Sequence, residues 1–260
     1  IIWVARDYDL DYQMIGQRKI AFEFFRFRWV EKIIEWVVFR LADGAIADRL
    51  FYEKYAMTNG ARPDRTHRCH AMVDDRFYRP SRSHWDVRRH LRLGRKKLLL
   101  YVGRLAQEKY PLDLIHCLAL IRQKEKKAIL LLAGDGPLRH DIQVLADKLG
   151  VADAVQCPGA VPVDRLPLLY RSASVVLGTH MGFTLLEAAL CGAPIVAYNW
   201  EWHLEIIRNG KTGFLVPFGD VSGLAAASLR ILRDPSLGRR LGQSARAFVL
   251  KNYKKSRSMK

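Results

Sequence analysis

GTHMGFTLLEAALCGAPIVAY, Gly178 to Tyr198, is the stretch on which the reading of the chain turns. It follows a short apolar run, Ser174 to Leu177 (SVVL), with the character of a buried strand. Gly182 then opens a helix carrying Leu185, Leu186, Ala188, Ala189 and Leu190. Cys191-Gly192-Ala193-Pro194 stops that helix, with glycine at its end and proline just beyond. Ile195 to Tyr198 is the next strand. The unit is therefore strand, loop, helix, strand, with a glycine at the first turn. Unpaired backbone N–H groups and the helix dipole make such a turn a natural anion site. Glu187 lies a helical turn and a little more from that mouth, where a carboxylate could accept hydrogen bonds from a ligand's hydroxyls. Taken alone, the pattern favours Glu187 as an ordinary helix glutamate.

The same alternation extends in both directions. Strands are expected at Leu98–Val102, Ala128–Ala133, Ala154–Cys157, Ser174–Leu177, Pro194–Tyr198 and Gly213–Val216. Between and after them come amphipathic helices, from Pro111–Gln123 through Val221–Leu232 to a last one starting at Pro235. Apolar strands alternating with such helices predict an α/β fold, a parallel sheet with helices on both faces. In these sheets ligands bind outside the carboxyl ends of the strands. Upstream, Ile1–Val4 reads as a strand and Gln17–Ala42 as a long helix rich in Phe, Trp, Ile and Val. That helix reads either as docked on a sheet, which the pattern favours, or as lying at a membrane interface. The basic stretch Ser81–Lys97 reads as a linker.

The chain has 260 residues, with 43 Lys and Arg against 26 Asp and Glu, a formal net charge of +17. That excess suits anionic partners: nucleic acid, acidic lipid or phosphorylated substrates. The basic residues are densest before residue 110 and after residue 238, which argues against a nucleic-acid-binding stripe as the main business of the fold. Cys69, Cys117, Cys157 and Cys191 are widely spaced and form no C-x-x-C pair. The last three sit in apolar surroundings and read as small buried residues, fitting a reducing, cytoplasmic compartment. No uncharged apolar run approaches the ~18 residues of a membrane span. The opening IIWVARDYD has no signal-peptide pattern and resembles the interior of a strand, so the chain is expected to begin part-way through a domain. Asp7, Asp9 and Asp11 make overlapping D-x-D patterns without a supporting context, and no metal is expected.

Three loops at the carboxyl ends carry the candidate chemistry. In VGRLAQEKYP, Gly103 permits a tight turn, and Arg104 and Lys109 place two cations suited to a diphosphate. In AGDGPLR, Gly134 and Gly136 bring backbone close to a ligand. The third loop is THMGFT, Thr179 to Thr184, with its helix amides. Together they describe a phosphate site, with Glu187 placed for a sugar or ribose hydroxyl.

VGRLAQEK, LLLAGDGPLR, LYRSASVVL, GFTLLEAALCGAPIVA and NGKTGFLVPFGD, in this order and spacing, closely resemble the C-terminal half of a retaining GT-B glycosyltransferase of family four. The resemblance runs from about Ile33 to Tyr253. It implies a Rossmann-like donor-binding domain at 98–260, the linker at 81–97, and at 1–80 the tail of a second, acceptor-side Rossmann-like domain. It further implies that Arg104 and Lys109 bind the donor's diphosphate and stabilise it as it leaves. Gly182, Phe183 and Thr184 would face donor sugar and phosphate, Glu187 would hold the ribose, and Cys157–Val161 would lie near the base. The donor is a nucleotide-diphosphate sugar and no cofactor is implied. The acceptor would be a glycan or a lipid-linked sugar, with an anionic membrane surface as a further partner and no nucleic acid. Expected localisation is cytoplasmic, on the inner face of the membrane.

The departures are specific. Of the pair of glutamates usual in the family, the first falls on Thr179, so a carboxylate beside the donor sugar is missing. His180 stands in the same loop and could supply a polar contact. Tyr110 replaces the usual glycine after Glu-Lys. Of the acceptor-side domain only the tail, up to about Pro80, is expected, so the 260 residues are expected to bind donor without transferring sugar. A non-catalytic nucleotide-sugar-binding module is the alternative that Thr179 motivates. A nicotinamide-dependent oxidoreductase is disfavoured, because AGDGPLR gives no G-x-G-x-x-G.

Overall fold

A computed structural model describes residues 2–4, 28–47, 50–68, 73–78, 87–90, 93–200 and 202–253. Asp7, Asp9, Asp11, Cys69 and residues 17–27 of the expected long helix lie outside them. The chain divides into two compact units, Ile1–Ala71 and Met72–Lys260.

In the first unit, β1 (Ile2–Val4), β2 (Gly44–Ala47) and β3 (Thr66–Arg68) form a parallel sheet in sequence order. Helices α1 (Arg28–Leu41) and α2 (Leu50–Thr58) accompany it. Phe39 anchors a small core with Ala45, Ala47, Tyr52, Ala56 and Ala61. Among the described residues, α1 docks through that narrow stripe and through Glu35, which accepts from Tyr55 Oη at 2.7 Å. Trp29, Ile33, Ile34, Trp36 and Leu41 are all more than half exposed.

The second unit contains the six-stranded sheet. Its strands are β4 (Lys97–Val102), β5 (Ala128–Ala133), β6 (Val155–Gly159), β7 (Val175–Gly178), β8 (Ile195–Tyr198) and β9 (Phe214–Val216). All pair in parallel, in the order β6-β5-β4-β7-β8-β9. Helices cover both faces, which is why β4 reads as an unbroken apolar run: Leu98, Leu99 and Leu100 are fully buried. A short helix, α3 (Val87–His90), precedes the sheet. The others are α4 (Pro111–Lys124), α5 (Arg139–Lys148), α6 (Leu166–Ser172), α7 (Thr184–Leu190), α8 (His203–Ile206), α9 (Val221–Arg233) and α10 (Pro235–Asn252). Asp234 starts α10 by accepting from the amides of Ser236 and Leu237, both at 3.0 Å, with Pro235 in the first turn.

From β4 the chain winds outward to β5 and β6, then crosses back to β7 and winds the other way. The sheet therefore switches direction between β4 and β7, and the crevice of a doubly wound sheet opens at that point. Two expectations need correction. The helix expected at Gly182 begins at Thr184, because Leu185 N bonds Gly182 O in a tighter turn before the α-helical ladder starts. Cys157 is half-exposed rather than buried, because β6 is an edge strand; apolar neighbours in sequence do not reveal an edge.

Candidate functional site

The loop leaving β4 is built on that of β5. Gly103 N donates to Ala133 O at 3.2 Å, Leu105 N to Asp135 O at 2.9 Å, and Leu138 N to Leu105 O at 2.9 Å. The glycines make this interlock possible. A Cβ on Gly134 would stand 1.8 Å from Gly103 O, and one on Gly136 would stand 2.5 Å from Leu105 O. The close approach expected of these two glycines is thus an approach to the neighbouring loop. Arg104 projects from this base with its side chain 72% exposed, 3.4 Å from Glu108 Oε1. An exposed pair of this kind holds the guanidinium weakly and leaves it available to an anion.

Lys109 ends a 3-10 turn, Gln107–Lys109, whose carbonyls are stapled to the end of β7. The fully buried Thr179 donates its hydroxyl to Lys109 O at 2.5 Å. His180 Nδ1 lies 2.7 Å from Glu108 O; the carbonyl only accepts, so this nitrogen carries the proton. Tyr110 follows at φ +51°, ψ +45°, the one left-handed residue other than glycine among the described residues. That conformation costs an ordinary residue about 1–2 kcal/mol, and it accounts for the glycine usual here in the resembling family. The ring of Tyr110 packs edge-on against Phe218, centroids 5.0 Å apart.

The β7–α7 loop is held from its other side by two side chains that sequence reading missed. Met181 N donates to His203 Nε2 at 3.1 Å, and Met181 O accepts from Trp202 Nε1 at 3.0 Å. His203 Nδ1 in turn donates to Tyr198 O at 2.9 Å, and Nε2 also lies 3.2 Å from Met181 O. Both side chains are buried. Their sequence signal is only a Trp-His pair at a helix start, which no motif distinguishes.

Beyond Met181 the loop opens. The amides of Gly182, Phe183 and Thr184 have no backbone or side-chain acceptor among the described residues. Phe183 is 48% exposed. A Cβ on Gly182 would meet nothing within 4 Å, and its φ is not in the left-handed region. Neither packing nor backbone geometry requires a glycine there. Glu187, half-buried on α7, accepts from Tyr170 Oη at 3.0 Å and is also hydrogen-bonded to Tyr78. Burial raises its carboxyl above the ordinary value, and the two tyrosine hydrogen bonds oppose that shift. On the β5–β6 side, Arg139 Nη2 donates to Cys157 O at 2.6 Å.

The fold therefore brings Arg104, Lys109, Thr179, His180 and Gly182 onto the adjoining ends of β4 and β7. Gly103, Gly134 and Gly136 form the interlock behind them, Phe183 and Thr184 lead into α7, and Glu187 stands within that helix. Among the described residues no group of three or more His, Cys, Asp or Glu converges as metal ligands would. The arrangement offers two cations and unpaired amides to a polyanion at the switch point, beside a protein carboxylate.

Residues 84–248 match the family model described as glycosyl transferases group 1. The chain is 31% identical over 156 residues to a putative glycosyltransferase, EpsD, of Bacillus subtilis, covering 59% of this chain and 41% of that protein. It is 29% identical over 191 residues to a GDP-mannose-dependent alpha-(1-6)-phosphatidylinositol monomannoside mannosyltransferase of Mycobacterium tuberculosis, covering 69% and 50%. The chain thus spans about half or less of the length of these curated relatives. Among solved structures, sucrose-phosphate synthase of Thermosynechococcus elongatus superposes with a TM-score of 0.83 at 23% identity, covering 99% of this chain and 64% of that one. Anabaena Alr3699/HepE, in complex with UDP and glucose, superposes at 0.78 and 22% identity, covering 87% and 64%. These likenesses identify the fold as GT-B.

Proposed function

Because the chain belongs to the group 1 glycosyltransferases, we propose that the protein of which it forms part moves a sugar from a nucleotide-diphosphate donor to an acceptor hydroxyl. The carrying observation is the junction at the β4–β7 switch point. The turn bearing Arg104 and Lys109 is stapled by Thr179 and His180 to a loop whose next amides, at Gly182 to Thr184, stand open. In this reading Arg104, Lys109 and the amides stabilise charge that develops on the leaving diphosphate, the preorganised form of electrostatic catalysis. Glu187, oriented by Tyr170 and Tyr78, accepts from the ribose hydroxyls. Retention of anomeric configuration goes with the family-four resemblance. The unit Met72–Lys260 carries the donor site, with Tyr78 against Glu187, and Ile1–Ala71 is assigned to the acceptor side, so these 260 residues bind donor without completing transfer. The likeness to the mycobacterial mannosyltransferase supports transfer over a non-catalytic module.

The GDP-mannose and UDP named for the relatives define the donors to try first, and a glycan or lipid-linked sugar the acceptor class. Among the described residues no helix is long and apolar enough to cross a membrane. The net charge of +17 and the exposed Trp and Ile side chains of α1 support attachment to an anionic cytoplasmic membrane surface. The test of the donor site is calorimetry with UDP and GDP on wild type, Arg104→Ala and Lys109→Ala. Each substitution removes a charge-assisted contact and should cost about 1.5–3 kcal/mol, roughly ten- to a hundredfold in affinity. Unchanged affinity in both folded variants overturns the assignment.

A further inference from the structure

At the opposite, amino-terminal edge of the six-stranded sheet, β4, β7 and β8 begin over a cavity of about 510 Å³. Its apolar surface comes from Ala193, Pro194, Ile231, Leu232 and Pro235. Lys97, Arg171 and Arg239 also line it, and among the described residues no Asp or Glu does. Helices α6, α7 and α9 end on this side, and the partial negative charge at helix C-termini is one reason for cations here. Lys97 is explained in that way, because its Nζ donates to Leu232 O in the last turn of α9 at 2.9 Å.

Arg171 and Arg239 are not explained so. Among the described residues neither guanidinium has a hydrogen bond or an ion pair, and both side chains are exposed toward solvent. The nearby carboxylate of Asp234 is committed elsewhere, to the first amides of α10 and to Arg240. Cys191, whose thiol burial pushes up to about 12, stays neutral and adds no countercharge. The cavity therefore holds up to three positive charges over an apolar floor, with nothing of opposite sign among the described residues of its lining.

We propose that this cavity is a second ligand site that takes a small organic phosphate. The guanidinium groups of Arg171 and Arg239 hold the phosphate oxygens, Lys97 adds its remaining N–H donors, and the Pro194, Ile231 and Leu232 surface receives the carbon skeleton. Guanidinium forks match phosphate oxygens in pairs. A dianion balances the lining charge better than a monocarboxylate does. The volume lies within the ~300–1,000 Å³ typical of small-molecule sites. The site is separate from the donor mouth: α7 reaches the mouth at Thr184 and the cavity at Cys191, seven residues and roughly 10 Å of helix apart.

The experiment uses the full chain carrying Arg104→Ala and Lys109→Ala, so that phosphate binding at the mouth is weakened whatever its natural ligand. Phenyl phosphate, inorganic phosphate and phenol are titrated by calorimetry. Saturable binding of phenyl phosphate is expected, with inorganic phosphate weaker and phenol not binding. Adding Arg171→Gln and Arg239→Gln should weaken phenyl phosphate at least tenfold, and Arg239→Glu should abolish its binding. Thermal melts of each variant confirm that the exposed substitutions leave the fold intact. No saturable binding of phenyl phosphate, or binding unchanged by the Arg171 and Arg239 substitutions, overturns the proposal.

Discussion

Gly182→Ala separates a ligand-facing glycine from a structural one, with Gly134→Ala as its counterpart. At Gly134 the new methyl would stand 1.8 Å from Gly103 O and 2.8 Å from Gly103 C, both backbone atoms with no rotamer to yield. One loop must move, breaking the bonds that run from Gly103 N and Leu105 N to the β5 loop. Overpacking of this kind costs about 1–3 kcal/mol, and backbone on both sides puts Gly134→Ala at the upper end. At Gly182 the methyl meets nothing within 4 Å and the backbone conformation suits alanine. Stability should be unchanged or raised by about 0.4–1 kcal/mol, through the reduced freedom of the unfolded chain. The same methyl would stand among the open amides, in the space assigned to the diphosphate. A comparable overpacking cost against the ligand, about 1–3 kcal/mol, is roughly five- to 150-fold in affinity. Urea unfolding measures the first quantity and calorimetry with UDP and GDP the second. If Gly182→Ala binds both nucleotides like wild type, the diphosphate does not sit on these amides. If Gly134→Ala matches wild type in stability, the loop interlock is not the constraint described here.

Three further outcomes are expected. Glu187→Gln should weaken ribonucleotide binding and affect the 2′,3′-dideoxy analogue much less; equal losses would make Glu187 structural. Because burial raises the Glu187 carboxyl, its contribution to stability is present below the ordinary value and declines as pH rises through the raised one. Unfolding followed against pH should lose that decline in Glu187→Gln. Thr179→Val removes the hydroxyl that donates to the half-buried Lys109 carbonyl, a loss of about 0.5–1.5 kcal/mol, and should weaken nucleotide binding, whereas Thr179→Ser should restore both; a valine variant indistinguishable from wild type would rule out the staple. Cosedimentation with vesicles should show binding to anionic but not neutral lipid, falling with salt and lost in Trp29→Ala/Trp36→Ala; failure to bind either vesicle ends the membrane reading.

The sequence by itself determined the fold class and the family. Long apolar strands at regular intervals, as at Leu98–Val102 and Ala128–Ala133, require a sheet covered on both faces. Glycine and proline at Gly192 and Pro194 mark the end of α7 wherever it packs. Those signals are local, one residue type enforcing one backbone behaviour, so they survive in a linear reading. The candidate residues were legible for the same reason, since Arg104, Lys109 and Glu187 belong to motifs of fixed spacing. Tertiary structure alone decided what each residue is opposed to. Gly134 and Gly136 read as approaches to a ligand, and the fold sets the β4 loop against them, which no local signal announces. Thr179 read as a missing carboxylate, and its hydroxyl proved to hold the Lys109 carbonyl from far along the chain. His203 and Trp202 carry no motif, yet they fix Met181 because the β8–α8 turn falls beside it. Cys157 gave no sign of standing on an edge strand. In each case the partner is set by strand order, and the crossover from β6 back to β7 brings together loops that are remote in sequence. Local signals specify where the chain turns; the order in which strands join the sheet decides which turns meet.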